Sequence, residues 1–510
     1  MPIDSNSSNK PKIVLVFPSP LERQGYALEL PLSILAVAAP LHAEGYQMVL
    51  IDERLSADVE KELLEATEGA MCVGFSTITG HQLKRTIHLS RLLKRHHSQV
   101  PVVWGGYHPS LLPEQVASEP YVDAVVRGQG EVTFRQLVGR LEENQGFDGV
   151  AGITYRDDSG GVVSNPDRPV EDINSFPRAP YELLDIERFF HMNGGRRAIQ
   201  YFSSQGCPFK CAFCVEPKVF GKWTARIADT VVNDIDRLNR MYRLEHVSFA
   251  DANFFANTKR VEAISRQLLD RDIHITWTVT ARASQLVKVK PETLSLAKKA
   301  GCRTIEIGIE SGSEEVLKLI DKRTSPDQAI ASNRLLKNAG IHGVYAFMVG
   351  FPKELPEANN EIGQTLMLIK KLRREHPDVV TVAFYVTPYP GTQLFDIAQR
   401  LRLRMPTKTS EWADWESTSV STSWISEEDK NLVSSCINFY FPFAYPNRVM
   451  RNRMQKLRWM PLLYPLHWIA ALRSALNFYR LPLEWKLFGQ LSRMKRLRRI
   501  SSQIDALRGY

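Results

Sequence analysis

The sequence predicts an α/β protein with an N-terminal doubly wound, Rossmann-like domain, a partial (β/α)6 TIM barrel and a helical C-terminal extension. Three observations predict this architecture. Apolar β-type runs alternate with helical patterns twice along the chain, and a turn-rich stretch containing Pro166, Pro177 and Pro180 separates the two alternations. From Met405 onward the pattern becomes helical, aromatic and basic. A chain of 510 residues is also too long for one ordinary core.

The first alternation contains five continuous apolar runs, which are typical of parallel strands buried on both faces. They are Ile13–Phe17, Met48–Asp52, Cys72–Ser76, Val100–Gly106 and Ala124–Gly128, with helical patterns at Leu32–Glu44, Gln82–Arg95 and Glu131–Leu141. This alternation predicts a doubly wound domain over residues 11–145, after a disordered start over residues 1–10. A linker is predicted over residues 146–195, in which Asp157–Gly161 indicates a hairpin.

The second alternation, over residues 196–405, contains six predicted strands and predicts the partial barrel. The strands are Ala198–Gly206, His246–Asp251, Ile275–Arg282, Thr304–Ser311, Val344–Pro352 and Val379–Pro388. Helical patterns separate them at Asp229–Tyr242, Lys259–Arg271, Glu314–Ile320 and Gln328–Asn338. Polar residues gather at the strand ends, which predicts chemistry at the C-terminal rim of the barrel.

Three cysteines lie within eight residues in Cys207-Pro-Phe-Lys-Cys211-Ala-Phe-Cys214, directly after a predicted strand. Structural zinc takes four ligands, and no Cys or His pair nearby supplies the fourth. A cubane iron–sulfur cluster held by three thiolates leaves one iron open, and a molecule with adjacent amino and carboxylate groups suits that iron. We therefore predict Cys207, Cys211 and Cys214 as metal ligands, with a zinc loop completed by a distant residue as the alternative.

The spacing CxxxCxxC, with an aromatic residue before the last Cys, resembles the radical S-adenosylmethionine (SAM) superfamily. The resemblance implies a 4Fe–4S cluster that binds SAM and cleaves it reductively to a 5′-deoxyadenosyl radical, with flavodoxin or ferredoxin as electron donor. It also implies SAM-binding residues at the strand ends of the barrel. These are Phe213 at the adenine, Asp251 and Asn253 at the amino group, Arg282 at the carboxylate, and Glu310 at the ribose or amino group.

The doubly wound domain lacks the fingerprint of a dinucleotide-binding fold. That fingerprint needs closely spaced glycines directly after the first strand, whereas here the strand runs into Pro18-Ser19-Pro20 and the next glycine is Gly25. The glycines follow later strands instead, within Gly74–Thr77, Gly105–His108 and Arg127–Glu131. Loops of this kind at strand ends admit a large flat ligand. NAD and FAD are therefore disfavoured.

Together with Leu30–Leu35 upstream, this glycine pattern resembles the cobalamin-binding domain that is fused to many radical SAM enzymes. The resemblance covers residues 11–405, with both domains in family order. The cobalamin-binding residues that it implies are Ser76, Thr77, Gly105, Gly106, His108, Gly128, Gly130 and Glu131. The motif DxHxxG, whose His is the lower cobalt ligand in methionine-synthase-type proteins, is absent, so the lower ligand and the role of His108 stay open. A domain that holds no ligand is the alternative.

Basic charge is concentrated at the end of the chain. The net charge is +9, but residues 441–510 carry 14 Lys and Arg against 2 Asp and Glu, which leaves −3 on the rest. Nucleic acid is therefore not an expected partner. Residues 459–472, rich in aromatics and followed by basic residues, are compatible with peripheral contact to an anionic membrane or with a helical cap on the barrel. No apolar run is long enough to span a membrane, the N-terminus lacks a secretory signal, and the six cysteines suit the cytoplasm, with contact at the inner membrane face as an addition.

The combined resemblance implies a cobalamin-dependent radical SAM methyltransferase. One SAM would methylate cobalamin, a second would give the radical, and the methyl group would reach an unactivated carbon of a small-molecule or lipid-like substrate. One alternative is a radical SAM cyclase or oxidoreductase that closes a ring or rearranges a tetrapyrrole or isoprenoid, like the anaerobic porphyrin-ring cyclases. An alternative of another class is a non-catalytic cobalamin-binding sensor.

Overall fold

The computed structural model describes residues 10–20, 28–415, 424–456, 460–479 and 482–492. Except for Lys10, the start predicted to be disordered lies outside the described residues, as does the basic run 493–499. The chain divides into two compact units. The first contains Met1–Phe254, Asp270–Ile275 and Thr387–Val420, and the second contains Phe255–Leu269, Thr276–Val386 and Ser421–Tyr510.

The first unit begins with a seven-stranded sheet in the order β2-β1-β3-β4-β5-β6-β7. Strands β1 to β5 are parallel, and β6 and β7 continue the sheet in antiparallel pairings. The strands are β1 (Lys12–Phe17), β2 (Gln47–Asp52), β3 (Ala70–Ser76), β4 (Val102–Gly105), β5 (Ala124–Val126), β6 (Ile153–Arg156) and β7 (Val162–Ser164). The helices are α1 (Leu32–Ala43), α2 (Val59–Thr67), α3 (His81–His96), α4 (Tyr107–Leu111), α5 (Pro113–Ala117) and α6 (Gly130–Glu142).

The parallel strands are apolar throughout because helices cover both faces of the sheet. Alternate residues of β1 show this arrangement: Ile13 and Leu15 pack in one core cluster, and Val14 and Val16 pack in another on the opposite face. All five predicted parallel strands are present, and each observed strand overlaps its predicted range. The predicted fold class of doubly wound domain, α/β domain and helical C-terminus is confirmed.

Residues 146–195, predicted to be a linker, contain the two strands that extend this sheet. The predicted hairpin joins them: the carboxylate of Asp157 accepts hydrogen bonds from the backbone N–H of Ser159 at 2.9 Å and of Gly161 at 2.8 Å. Strand β6 pairs with β5, the last of the parallel strands, so the backbone groups of β6 are hydrogen-bonded within the sheet. The hairpin can be predicted because its signal lies in five neighbouring residues. The pairing of β6 with β5 cannot, because it joins segments that are distant in the sequence.

The second alternation begins within the first unit. Strand β8 pairs with β11 in parallel, and the short strands β9 and β10 pair in an antiparallel manner. These elements are α7 (Ile186–Met192), β8 (Ala198–Tyr201), β9 (Ser204–Gln205), α8 (Glu216–Val219), β10 (Thr224–Ala225), α9 (Ala228–Tyr242) and β11 (His246–Phe249). The predicted strand Ala198–Gly206 is therefore two short strands, β8 and β9.

The second unit contains four parallel strands that pair in chain order, β12 to β15. The strands are β12 (Thr276–Ala281), β13 (Cys302–Glu310), β14 (His342–Val349) and β15 (Val380–Tyr385). The helices are α10 (Thr258–Asp270), α11 (Ala283–Leu286), α12 (Pro291–Lys299), α13 (Glu314–Leu319), α14 (Pro326–Ala339) and α15 (Glu361–Glu375). Helix α14 begins at a capping box formed by Ser325 and Gln328, which explains its sharp start.

Residues 387–420 belong to the first unit. They contain α16 (Gln393–Arg400) and a 3₁₀ helix, Thr409–Asp414, whose Trp412 is 1% exposed in one of the two core clusters around the doubly wound sheet. The remaining helices belong to the second unit. They are α17 (Glu427–Ser435), a π-helix (Cys436–Tyr440), α18 (Phe441–Ala444), α19 (Arg448–Met454), α20 (Met460–Leu476) and α21 (Leu483–Ser492). Among the described residues, no helix is long and apolar enough to cross a membrane.

Candidate active site

A cavity of about 460 Å³ lies in the first unit, between the carboxyl ends of the doubly wound strands and the segment that contains the three cysteines. One wall contains Ser76, Tyr107, glycines within β3 and β4, and glycines that follow β4 and β5. The other wall contains Phe202, Gln205, Glu216 and Phe220, which flank the cysteines, and Ala250 and Ala252, which follow β11. Two loops predicted to bind different cofactors therefore face one cavity.

At several positions of the first wall a glycine is present, so no side chain projects into the cavity there. Gly106 has φ +100°, and a Cβ there would lie 2.7 Å from the carbonyl oxygen of Thr77, so no other residue fits without movement of the backbone. A Cβ on Gly130 would lie 3.0 Å from a methyl group of Val37, because α6 begins close to α1. At these glycines the wall presents backbone rather than side chains to the cavity, which leaves room for a broad, flat ligand.

Six of the eight predicted cobalamin-binding residues line this cavity. They are Ser76, Gly105, Gly106, Gly128, Gly130 and Glu131. The hydroxyl of Ser76 donates to that of Ser33 at 2.7 Å, which places two hydroxyl groups beside each other near the glycine wall. This arrangement has the shape and the partners that a cobalamin-binding cleft needs.

The other two, Thr77 and His108, lie outside the cavity wall. Thr77 is wholly buried, and its hydroxyl lies 3.2 Å from that of Thr86. His108 is also wholly buried: its Nδ1 lies 2.9 Å from the Thr79 hydroxyl, and its ring packs 6.2 Å from that of Trp412. Burial lowers the pKa of His108 to about 3, so the ring is neutral. The structure places these two residues behind the turn after β4, where the backbone N–H of His108 donates to the carbonyl oxygen of Thr77, and their contact with cobalamin stays a prediction.

The three cysteines lie on a loop that follows β9. Gly206, at the start of the loop, has φ +72°, and a Cβ there would overlap the carbonyl oxygen of Lys222, so the turn into Cys207 requires glycine. The backbone N–H of Cys214 donates to the carbonyl oxygen of Cys211 at 3.0 Å, which closes the turn between them. The pKa of Cys214 is raised to about 12, mainly by burial, and the nearby Glu216 carboxylate, Cys211 and Cys207 act in the same direction. The three thiols therefore lie close enough to interact.

The chemistry of this donor set fits a cubane cluster better than a single ion. Among the described residues, no three His, Cys, Asp or Glu side chains surround one metal-ion position. A cubane places each thiolate on a different iron, so its ligands lie farther apart than those of one zinc ion. None of the six cysteines, all of which lie among the described residues, is in a disulfide. Three thiols on one loop, without a fourth ligand among them, leave one iron open.

Asp251 holds the start of this loop rather than projecting into the cavity. The residue is 1% exposed, and its Oδ1 accepts from the backbone N–H of Ser203 at 2.8 Å and of Ser204 at 3.1 Å. Its Oδ2 accepts from both serine hydroxyls at 2.6 Å. These four hydrogen bonds involve both carboxylate oxygens and give Asp251 a positioning role, while its contact with the SAM amino group stays a prediction.

The remaining predicted SAM-binding residues lie at strand ends and beside the cysteines. Phe213 is half-buried between Cys211 and Cys214, and Asn253 is wholly buried two residues after Asp251. In the second unit, Arg282 follows β12 and Glu310 ends β13 with φ +74°. Arg282 donates to the carbonyl oxygen of Lys322, and the Lys322 ammonium donates to Glu310 Oε1 at 2.6 Å. The structure thus brings Arg282 and Glu310 together around Lys322.

Sequence reasoning missed several buried polar residues at these strand ends. Tyr107 donates to Glu216 across the cavity wall, and burial raises the pKa of both groups. In the second unit, Glu361 accepts from the backbone N–H of Gly350 at 2.7 Å and of Phe351 at 3.3 Å. Lys322, Glu216 and Glu361 are charged residues outside the predicted strands. Only tertiary contacts distinguish them from surface residues, so the sequence held no signal for them.

Comparison with known proteins agrees with this arrangement. A family model described as the Radical SAM superfamily matches residues 201–366, and one described as the B12 binding domain matches residues 26–138. An uncharacterised methyltransferase of Pyrococcus horikoshii is 33% identical over 322 residues, which cover 62% of this chain and 67% of that protein. The anaerobic magnesium-protoporphyrin IX monomethyl ester cyclase of Rubrivivax gelatinosus is 27% identical over 376 residues, 72% of this chain and 65% of the cyclase.

The fold is also shared with a solved structure. The cobalamin-dependent S-adenosylmethionine radical enzyme OxsB, with aqua-cobalamin and S-adenosylmethionine bound, superposes with a TM-score of 0.72 at 21% identity, covering 98% of this chain and 78% of OxsB. The B12 binding domain match contains the glycine-rich wall of the cavity, and the Radical SAM superfamily match contains the three-thiol loop. The chain belongs to the cobalamin-binding radical SAM enzyme family, whose cofactors are a 4Fe–4S cluster, SAM and cobalamin.

Proposed function

We propose that the chain is a cobalamin-dependent radical SAM methyltransferase that acts on an unactivated carbon of a small-molecule or lipid-like substrate. The observation that carries this proposal is the shared cavity. Its walls come from the glycine-rich strand ends and from both sides of the three-thiol loop. When bound there, the cofactors supply a carbon-centred radical and a transferable methyl group. Both reactive centres would face the same enclosed space.

Each predicted site residue except Thr77 and His108 has a proposed task. Cys207, Cys211 and Cys214 hold the cluster, while Asp251 fixes the serines that precede them. Asn253 and the backbone around Phe213 bind SAM near the cluster. Arg282 and Glu310 also contribute to SAM binding, with Lys322 holding the carboxylate of Glu310 in place. On the other wall, the backbone at Gly105, Gly106, Gly128 and Gly130 supports the cobalamin ring, beside Ser76 and Glu131.

The proposed domain organisation follows from these tasks. Residues 11–145 form the cobalamin-binding domain, residues 146–195 lead from it, residues 196–405 form the radical SAM core, and residues 406–510 are the C-terminal region. Reductive SAM cleavage needs an electron, for which we propose an external donor such as flavodoxin or ferredoxin. Six cysteines without a disulfide among them suit a reducing compartment, so the proposed location is the cytoplasm.

Relatives support two outcomes for the radical. The Pyrococcus relative is named a methyltransferase, which favours methyl transfer and has the higher identity to this chain. The Rubrivivax relative is named a cyclase, so ring closure without methyl transfer is the second candidate. The two differ in the mass of the product: methyl transfer adds one CH₂ unit, whereas oxidative cyclisation removes hydrogen.

The test is anaerobic purification of the full chain, with iron, sulfide and cobalamin quantified together, followed by SAM turnover with a chemical reductant. We expect about four irons and one cobalamin per chain, with 5′-deoxyadenosine and S-adenosylhomocysteine as products. Cys207→Ala, Cys211→Ala and Cys214→Ala should each lose iron and SAM cleavage. Cys302→Ala, which removes a buried thiol far from the motif in sequence, should retain both.

Three other results would contradict the proposal. Cobalamin without SAM cleavage would indicate the sensor, and one colourless metal per chain would indicate the zinc loop. 5′-Deoxyadenosine without S-adenosylhomocysteine would favour the cyclase.

A further inference from the structure

Helix α20 in the second unit exposes a stripe of large apolar residues. Tyr464, Trp468, Leu472 and Leu476 recur at every fourth position, which places them along one side of a helix, and Ile469 lies beside them. Their exposed fractions are 37% for Tyr464, 68% for Trp468, 62% for Leu472, 67% for Leu476 and 37% for Ile469. On α21, Leu483 and Leu487 are 66% and 57% exposed. We call these seven residues the C-terminal apolar face.

The C-terminal apolar face does not pack in the core of the protein, because α20 contacts its neighbouring helices through its opposite side. Leu463, Ala470 and Ser474 are at most 4% exposed, and the main neighbours of α20 are α18 and the π-helix. The Ser474 hydroxyl lies 3.0 Å from that of Tyr445, which fixes the packed side. A helix that is apolar all round is normally buried all round. Here half of its circumference faces outward.

The charge around the face is strongly positive. Helix α20 contains no acidic residue, and its Arg473 pairs with Glu484 at 2.9 Å. Arg451 and Lys456 precede the helix and are exposed, and Lys486 is exposed beside Leu487. The sequence after Ser492 adds six Lys and Arg against one Asp. The region thus combines exposed Trp, Tyr and Leu with a net positive charge, which suits an interface of anionic headgroups over acyl chains.

We propose that the C-terminal apolar face docks on the surface of an anionic lipid bilayer. The 17 residues of α20, interrupted by Pro461 and Pro465, are too few to span a bilayer, so the helix lies in the plane of the interface. A second copy of the chain would bring two positive regions together, which disfavours self-association. An anionic surface removes that repulsion. This proposal concerns where the enzyme works and is independent of whether its product is methylated.

The experiment is vesicle flotation of the full-length holoenzyme. One set of vesicles contains phosphatidylcholine alone, and the other contains equal parts of phosphatidylcholine and phosphatidylglycerol. The test variant is Trp468→Glu with Leu472→Glu. The matched control is Met192→Glu with Ile227→Glu, which removes two apolar residues of similar exposure, 55% and 60%, from the first unit. Because all four side chains are largely exposed, the variants should fold, and circular dichroism and the thermal midpoint verify this.

We expect binding to the anionic vesicles that weakens in high salt. The test variant should bind at least about tenfold more weakly, since two anchors are replaced by charges that anionic lipid repels, and the control variant should bind as the wild type does. Lys486→Glu should weaken binding by a smaller factor.

The proposal is overturned if the wild type floats with neither vesicle or if the test variant binds equally well. It is also overturned if sedimentation shows a dimer that the test variant dissociates, because the face would then be a protein interface.

Discussion

Gln205 and Glu131 join the two walls of the cavity: the side-chain amide N–H of Gln205 donates to Glu131 Oε1 at 2.9 Å. Gln129 extends the link by donating to Gln205 Oε1 at 2.8 Å. Glu131 begins α6 in the glycine-rich wall, and Gln205 ends β9, two residues before Cys207. The loop that holds the thiols is therefore hydrogen-bonded to the domain that faces it.

Gln205→Glu should lower the iron and the cobalamin content together. It places a second carboxylate against the buried Glu131, and two buried carboxylates at hydrogen-bond distance repel unless one is protonated. Glu131→Gln is the matched variant, because its amide oxygen can still accept from Gln205, and it should retain both cofactors. Absorbance of bound cobalamin and iron analysis measure the two occupancies. Normal contents in Gln205→Glu would show that the link does not position the loop.

Asp251→Ala should destabilise the first unit by about 2–5 kcal/mol and reduce cluster assembly. It leaves the backbone N–H groups of Ser203 and Ser204 buried without their acceptor. Ser204→Ala removes one of the four hydrogen bonds and should cost about 1 kcal/mol. Denaturant unfolding and iron content provide the measurements. Equal losses in both variants would argue against a special role for the carboxylate.

Gly106→Ala should cost about 1–3 kcal/mol, because alanine is strained at φ +100° and its Cβ would overlap the backbone of Thr77. Gly105→Ala is the control: a Cβ there would meet its nearest neighbour at 3.7 Å, an ordinary contact. Thermal unfolding of the two apo proteins compares their stabilities. If the thermal unfolding midpoint of Gly106→Ala equals that of Gly105→Ala, then alanine is not strained at position 106.

Glu361 should make stability depend on pH. Burial raises its pKa to about 7, although the backbone N–H groups of Gly350 and Phe351 partly oppose the shift. Because the folded state binds this proton more tightly than the unfolded state, the stabilisation is complete below about pH 4.5 and is lost as the pH rises through 7.

Glu361→Gln keeps the acceptor oxygen and cannot ionise. Its stability should match that of the wild type at pH 5 and exceed it at pH 8 by up to about 3 kcal/mol. Thermal midpoints at the two pH values measure this, with the exposed Glu354→Gln as the control. The same pH response in Glu361→Gln and in the wild type would assign the dependence to other groups.

The sequence predicted the strands well because their signal is local. Continuous apolar runs mark β1 to β5 whatever lies beside them, and the cysteine spacing needs no structure to be recognised. Contacts between distant segments had no such signal. The pairing of β6 with β5 and the packing of Trp412 beside His108 depend on the tertiary path of the chain. The hydrophobic periodicity of the sequence does not reveal that path.

The site residues show the same division. The glycines predicted to bind cobalamin line the cavity, because a residue without a side chain lets the backbone of a strand end reach the cavity surface. His108 and Asp251 were assigned to ligands because their residue types suit ligands. Residue type does not tell whether a side chain points towards the cavity or into the protein, and both side chains are enclosed by protein.

The bond between Gln205 and Glu131 has a consequence for protein engineering. An enzyme with a cobalamin-binding domain and a radical SAM domain in one chain is a natural subject for chimeras in which the N-terminal domain is exchanged. A graft cut within residues 146–195 would separate Glu131 and Tyr107 from Gln205 and Glu216, their hydrogen-bond partners in this chain. A working chimera should therefore carry the residues on both sides of the cavity from the same parent, even though they lie about 75 to 110 positions apart.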